Sequence, residues 1–119
     1  MSEPVFWIVE GVIQQGALAA LRSLIGEMVT ITQANEPGTM AYEWFLDSGK
    51  QRCHIFERYR DSTAAMIHLR TFEEKFAKRL GLLVKIDRVV VYGNATEELI
   101  KALGDEGTVF LLPWAGFTR

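Results

Sequence analysis

The 119-residue sequence contains one cysteine, Cys53, and only two histidines. A single cysteine excludes an intramolecular disulfide and a cysteine-rich zinc site, and it favours a reducing, cytoplasmic compartment. The two histidines and the scattered carboxylates show no HExxH or other strong metal-ligand spacing, and neither a P-loop nor a GxGxxG motif occurs. The sequence therefore predicts a protein that uses no metal and no dinucleotide or flavin cofactor.

An excess of charge of one sign is also missing, because the formal net charge is −2 and lysine and arginine form no long run. This balance argues against nucleic acid and anionic membranes as partners. No apolar run approaches the roughly 18 residues of a membrane span. The first residues lack the basic and apolar regions of a secretory signal. With 49% hydrophobic and 24% charged residues, the chain is expected to form one globular domain over residues 1–119.

The sequence alternates between strand patterns and helix patterns. Strands are indicated by β-branched and aromatic residues, and helices by apolar residues at a spacing of three and four. The predicted strands are 4–11, 39–47, 52–60, 82–93 and 108–113, and the predicted helices are 16–35, 62–80 and 94–104. The order β-α-β-β-α-β followed by α-β predicts the α+β class. Its core is a ferredoxin-like antiparallel sheet with two helices on one face and a C-terminal α-β extension.

The two central strand patterns carry apolar residues on both faces. On the strand at 39–47, one face holds Met40, Tyr42, Trp44 and Leu46, and the other holds Ala41, Glu43 and Phe45. On the strand at 52–60, one face holds Cys53, Ile55, Glu57 and Tyr59, and the other holds His54, Phe56 and Arg58. Helices can cover only one face of such a sheet, so the second face needs another layer. We therefore predict a homodimer in which two sheets pack face to face. The alternative is a monomer with an open aromatic face.

Two stretches, "NEPGTMAYEWFL" (35–46) and "HIFERYRDSTAAMIHL" (54–69), resemble the antibiotic biosynthesis monooxygenase family of the dimeric α+β barrel superfamily. The resemblance covers about residues 5–80, and the terminal "AGFTR" (115–119) is similar to the ending of one bacterial branch. The matching features are Glu36-Pro37-Gly38, Tyr42 and Trp44, Glu57-x-Tyr59, Asp61-Ser62, Ala65 and His68.

The resemblance implies a dimeric α+β barrel with a pocket between the helices and the sheet of each subunit. Several members oxidise phenols, quinols or anthrones with molecular oxygen and without metal or flavin. The protein then has to bind a ring, remove a phenolic proton and shield the anion from water. This implies a monooxygenase acting on a small aromatic or quinol-like ligand. The alternative is a non-redox dimer that binds a small ligand or catalyses an isomerisation or cyclisation.

Two histidines are candidate catalytic residues. His68 lies at the edge of the apolar stripe of the second helix, between Ala65 and Phe72. There a neutral imidazole could accept a proton near pH 7. The alternative is a core histidine bonded to a backbone carbonyl. His54 shares a strand face with Arg58 and is expected to line either the pocket or the dimer core.

Five residues are candidates for substrate binding: Tyr42, Trp44, Glu57, Tyr59 and Phe72. The aromatic members either stack on a planar ligand or fill the core. Adjacent strand residues point to opposite faces, so Glu57 and Arg58 cannot pair with each other. Structural ion pairs, including pairs across the dimer, are the alternative to catalysis for these two residues.

Overall fold

A computed structural model describes residues 3–104 and 107–119 of the chain. The order of its elements confirms the predicted α+β class. No helix among these residues is long and apolar enough to span a membrane. The elements are β1 (Val5–Ile13), α1 (Leu18–Asn35), β2 (Thr39–Leu46), β3 (Arg52–Tyr59), α2 (Ser62–Lys75), α3 (Ala77–Gly81), β4 (Val84–Gly93), α4 (Glu97–Leu103) and β5 (Thr108–Leu111).

The strands form one five-stranded sheet in the order β2-β3-β1-β4-β5. The central strand β1 pairs antiparallel with β3 and β4, and β2 pairs antiparallel with β3. This part of the sheet is the predicted ferredoxin-like core. The extension makes the sheet mixed, because β5 pairs parallel with β4. The helix α4 connects these two strands and lets β5 run in the same direction as β4.

One face of the sheet packs against the helices and forms the hydrophobic core. Both core clusters take their sheet residues from this face alone, including Trp7, Tyr59 and Val91. The helices contribute residues such as Leu24 to this core. Leu24 and the strand residue Trp7 are each 2% exposed. Full burial of a side chain of this size contributes about 1.5–3 kcal/mol. The core therefore fixes α1 and α2 against the sheet.

The first helix differs from its predicted form at its beginning. Gly16 has a φ of +80°, which is not helical, and α1 begins at Leu18 rather than at residue 16. Leu18 is 37% exposed, and the buried face of α1 consists of Leu21, Leu24, Met28 and Thr32.

The second predicted helix, 62–80, is divided in two. The backbone of Phe76 leaves helical geometry at a φ of −129°, so α2 ends at Lys75 and α3 begins at Ala77. Phe76 and Leu80 are both 5% exposed and belong to the core cluster that includes residues of α1. The break therefore directs the end of the helical segment into the core. Periodicity alone did not predict it, because the apolar spacing continues across residue 76.

The opposite face of the sheet, here called the open face, adds no residue to either core cluster. Phe6 stacks on Tyr92 with a centroid distance of 4.8 Å and tilts against Phe56 at 5.7 Å. The guanidinium of Arg58 lies 5.5 Å from the Phe6 ring. By strand alternation, the side chains of the open face include Phe6, Ile8, Glu10, Glu43, Phe45, His54, Phe56, Arg58, Arg88 and Tyr92.

Candidate functional site

The position of His68 follows from the start of α2. The side chain of Asp61 caps this helix by accepting a hydrogen bond from the Ala64 backbone N–H at 2.8 Å. Ala64, Ala65 and His68 are then buried on the same side of the helix. Because the two alanines are small, α2 lies close to the sheet. His68 is consequently only 5% exposed.

Glu36 reaches the same place from the end of α1. Its backbone N–H donates to the Thr32 carbonyl at 3.0 Å, and its side chain is buried. A carboxylate at a helix C-terminus is unfavourable next to the helix dipole and needs a nearby cation. The chain then turns through Gly38, where a Cβ would meet the Ala64 Cβ at 2.6 Å. The missing side chain at Gly38 lets this turn approach α2, so that Glu36 meets His68.

Glu57 enters the site from the centre of the sheet. It lies opposite Trp7 on β1 and opposite Tyr42 on β2. Strand alternation turns it toward the helices, and it is 6% exposed. A buried carboxylate of this kind requires hydrogen bonds or a cation.

Three ionisable side chains and two hydroxyls meet here, and we call them the His68 cluster. His68 Nδ1 lies 2.8 Å from Glu36 Oε1, and His68 Nε2 lies 3.1 Å from Glu57 Oε1. The Tyr59 hydroxyl donates to Glu57 Oε1 at 2.5 Å, and the Thr39 hydroxyl donates to Glu36 Oε1 at 3.0 Å. The side chains of the histidine and of both carboxylates are at most 7% exposed. Solvent therefore screens these contacts very little.

The cluster fixes the protonation state of His68. Burial lowers the pKa of the imidazole, but hydrogen bonds to Glu36 and Glu57 outweigh burial and raise this pKa to about 9. At neutral pH both ring nitrogens carry a proton and face a carboxylate. From the sequence, we expected a neutral imidazole that either bonds to a backbone carbonyl or accepts a proton. The structure instead places an imidazolium between two carboxylates. An imidazolium has no free lone pair and cannot accept a proton.

Two carboxylates and one imidazolium leave the cluster with one net negative charge. Glu36 Oε2 is buried without a hydrogen-bond partner among residues 3–104 and 107–119. A buried, unsatisfied carboxylate oxygen is costly, which favours the approach of a proton donor.

A cavity of about 160 Å³ lies beside the cluster. Tyr42, Glu57 and His68 contribute polar groups, and most of the remaining lining is apolar. This volume is close to the roughly 150 Å³ of an engineered apolar cavity that holds benzene. The site can hold one ring against a carboxylate. The other lining residues are Trp7, Val9, Ile55, Leu69, Phe72, Leu80, Ile86, Val89 and Leu103.

Two tyrosines next to Glu57 stay protonated. Burial, followed by the charge of Glu57, raises the pKa of Tyr42 and of Tyr59 well above the usual value. The Tyr42 hydroxyl makes only a weak contact with Met28 Sδ, at 3.6 Å. Its ring centroid lies 5.2 Å from that of His68. Tyr42 is thus a neutral hydrogen-bond donor at the edge of the cavity.

The donor arrangement of the cluster does not suit a metal ion. His68 turns a different nitrogen toward each carboxylate, so the three side chains do not converge on one point. Within the described part of the chain, no three histidine, cysteine, aspartate or glutamate side chains form a possible metal site.

The structure separates the residues proposed from sequence into three places. His68, Tyr42, Glu57 and Phe72 line the cavity together. Tyr59 does not line the cavity, but its hydroxyl donates a hydrogen bond to Glu57, which does. The other two lie elsewhere.

Trp44 lines a neighbouring cavity rather than the one beside His68. His54 lies on the open face, where its side chain is 49% exposed and its Nε2 is 3.7 Å from Glu10 Oε1. It is therefore separated from the His68 cluster by the sheet itself.

Two members of the His68 cluster, Thr39 and Glu36, were not proposed from sequence. Glu36 was noted only as part of the Glu36-Pro37-Gly38 motif. The available signal was its position directly after a helix, where the dipole disfavours a carboxylate. Such a placement indicates a compensating cation, but not which one.

Comparisons with known proteins agree with this architecture. The family model described as antibiotic biosynthesis monooxygenase matches residues 4–80. MupZ from Pseudomonas fluorescens is similar at 21% identity, with a TM-score of 0.83, over 100% of this chain and 91% of that chain. Rv0793 from Mycobacterium tuberculosis is similar at 27% identity, with a TM-score of 0.66, over 79% of this chain and 97% of that chain. A crystal structure named as an antibiotic biosynthesis monooxygenase is 24% identical, with a TM-score of 0.64, over 73% of this chain and 94% of that chain. No curated protein matches the chain.

Proposed function

The chain belongs to the antibiotic biosynthesis monooxygenase family, and we propose that it is a cofactor-independent monooxygenase for a single-ring phenol or quinol. The observation that carries this proposal is the pairing of Glu57 and His68 on one wall of a largely apolar cavity. The volume of about 160 Å³ supports a substrate of one ring.

In this reaction the substrate supplies all the electrons. A phenol with a free para position and one O₂ give a para-quinone and one water. The para C–H bond is replaced by C=O, the second oxygen atom leaves as water, and both substrate hydrogens end in that water. No external reductant is needed, which agrees with the absence of a dinucleotide motif in the sequence.

The residues of the cluster have separate roles in the first step. Glu57 accepts the phenolic proton, since it is the carboxylate that lines the cavity. The His68 imidazolium stays protonated between Glu36 and the neutral Glu57, and it stabilises the phenolate electrostatically. The net charge of site plus substrate is unchanged by this transfer. The apolar walls keep water away from the electron-rich anion.

The test is oxygen uptake by the purified, chelator-treated protein with single-ring phenols and quinols. We expect one O₂ consumed per quinone formed and slower turnover of three-ring anthrones, which exceed the cavity. Oxygen uptake no faster than in buffer across a panel of single-ring substrates would reject the proposal.

A non-redox reaction is the second candidate. Glu57 and His68 are proton-transfer groups, and they suffice for an isomerisation or cyclisation through an enolate without O₂. Incubation of the same substrate panel under argon distinguishes the two. Product formed equally fast without oxygen would favour the isomerase or cyclase.

We also propose that the protein is a homodimer joined through its open faces. The aromatic side chains of Phe6, Phe56 and Tyr92 on this face support the dimer. The face also carries charges of both signs, because Glu10 lies beside Arg88 and His54. A twofold axis brings such a face against itself with opposite charges matched. A stable interface of this kind should bury about 1,200 Å² or more.

Light scattering should therefore give twice the 13.5 kDa mass of the chain. Phe6→Glu places a charge inside the interface and should yield monomers. Leu82→Glu is the matched control, since Leu82 is 74% exposed and lies outside the sheet. A monomer mass for the unaltered protein at micromolar concentration would contradict the dimer.

A further inference from the structure

A second and larger cavity, here called the α1 cavity, has a volume of about 380 Å³. This volume falls in the range of about 300–1,000 Å³ that is usual for small-molecule sites. It lies between α1 and the adjoining ends of β2 and β3, and it shares no lining residue with the cavity beside His68. Its lining consists of Ile13, Leu18, Ala19, Leu21, Arg22, Ile25, Trp44, Phe45, Leu46, Lys50 and Cys53.

The lining of the α1 cavity has charge of one sign only. Among the residues that the structure describes, Arg22 and Lys50 are its charged lining residues, and no acidic side chain contributes to it. Most of the remaining surface is aliphatic or aromatic. Leu18, Phe45 and Leu46 are 37%, 54% and 48% exposed, so the cavity is bordered by apolar surface as well. A molecule with an apolar body and an anionic head would match both properties.

Arg22 differs from the other arginines of the protein. Within residues 3–104 and 107–119 it has neither an ion-pair partner nor an aromatic ring against its guanidinium, and α1 has no acidic residue in its first turn. Lys50 likewise has no ion pair within those residues. Each of the other arginines has a partner: Arg52 with Asp87, Arg60 with Asp61, Arg70 with Glu98, Arg79 with Glu27, Arg88 with Glu10, Arg58 with Phe6 and Arg119 with Phe117.

We propose that the α1 cavity binds an amphipathic carboxylate. The hydrocarbon chain lies along Leu21, Trp44 and Cys53, and the carboxylate meets Arg22 and Lys50 at the rim. The cavity is about 2.5 times the roughly 150 Å³ that holds the six carbons of benzene, so a chain of about ten carbons fits. The site does not depend on the proposed oxidation, because it requires no reaction.

Titration calorimetry with decanoate, below its micellar concentration, tests the site on the full chain. We expect one decanoate per chain, bound more tightly than the neutral decan-1-ol. The double variant Arg22→Gln/Lys50→Gln should weaken decanoate binding by about tenfold, as expected for two partly exposed ion pairs. It should leave decan-1-ol binding unchanged.

Both altered residues are exposed, so the double variant should keep the circular dichroism spectrum and melting temperature of the parent. Arg70→Gln removes a cation on α2 that is 63% exposed and lies outside the cavity lining, so it is the matched control and should bind decanoate normally. As the sole cysteine, Cys53 reports on the cavity, and decanoate should slow its alkylation by a maleimide.

Three results would overturn the site. The first is equal affinity for decanoate and decan-1-ol. The second is a loss of affinity in Arg70→Gln as large as in the double variant. The third is no binding of decanoate at all, which is also the result expected if a second chain covers the cavity.

Discussion

Two histidine–glutamate contacts lie on opposite faces of the same sheet, and they differ in every respect that matters for chemistry. His68 contacts Glu36 and Glu57 at 2.8 and 3.1 Å, and all three side chains are at most 7% exposed. His54 lies 3.7 Å from Glu10 with 49% of its side chain exposed.

Burial decides what such a contact is worth. An exposed ion pair contributes about 0–1 kcal/mol, whereas removing one partner of a buried pair costs about 3–5 kcal/mol. The His54 contact is therefore close to neutral for the isolated chain. The His68 contact holds a proton at neutral pH and constrains the surrounding fold.

The largest expected effect concerns catalysis. Glu57→Gln removes the proposed proton acceptor but keeps its size, and it should lower turnover by about 10²–10⁴-fold, as is usual for loss of a general base. Glu10→Gln makes the same change on the open face and should leave turnover unchanged. Oxygen uptake by both variants measures the difference. Equal rates in the two would remove Glu57 from the reaction.

The next effect concerns stability. His68→Ala leaves Glu36 and Glu57 buried without their cation and should lower the free energy of unfolding by about 3–5 kcal/mol. Made in the Phe6→Glu background, where the proposed interface is broken, His54→Ala should change it by less than about 0.5 kcal/mol, because its side chain is 49% exposed in the isolated chain. Urea denaturation of the two variants makes the comparison. A similar small loss in both would show that the buried contact is not stabilising.

The contribution of His68 to stability should depend on pH. The pKa of His68 is about 9 in the folded chain and near 6.5 when unfolded, so the folded state holds the proton more tightly. Its contribution is fully present below about pH 6.5 and is lost as the pH rises through about 9. At 1.36 kcal/mol per pKa unit, this contribution is about 3 kcal/mol.

Urea denaturation between pH 6 and pH 10 measures this loss as the difference between the unaltered protein and His68→Gln. A difference that stays constant over this range would mean that the His68 imidazole is not held as a cation.

The smallest effect tests how the cluster is assembled. Gly38→Ala sets a Cβ 2.6 Å from that of Ala64, which should separate Glu36 from His68 and cost about 1–3 kcal/mol. Gly26→Ala is the control, because nothing lies within 4 Å of its added Cβ. Alanine is also favoured over glycine inside a helix, so this variant should gain up to about 1 kcal/mol. Thermal unfolding compares the two, and equal stability would show that the turn at Gly38 tolerates a side chain.

Much of the fold could be predicted from short-range patterns in the sequence. The hairpin of β2 and β3, the cap at Asp61 and the opposite orientations of Glu57 and Arg58 all follow from short-range rules of turns, caps and strand alternation. The division of the second helix at Phe76 did not follow, because the packing of Phe76 and Leu80 against α1 depends on residues distant in sequence.

The sequence by itself determined the order of strands and helices, apart from the break at Phe76, and which side chains share a strand face. Only the tertiary structure decided the state of the site. Glu36 and His68 are 32 residues apart and meet because Gly38 packs against Ala64. The pKa of His68 depends on its distances to two carboxylates and on their shared burial, and neither quantity is encoded in the residues next to it. That is why the sequence could point to His68, whereas its charge and its partner Glu36 emerged only from the folded chain.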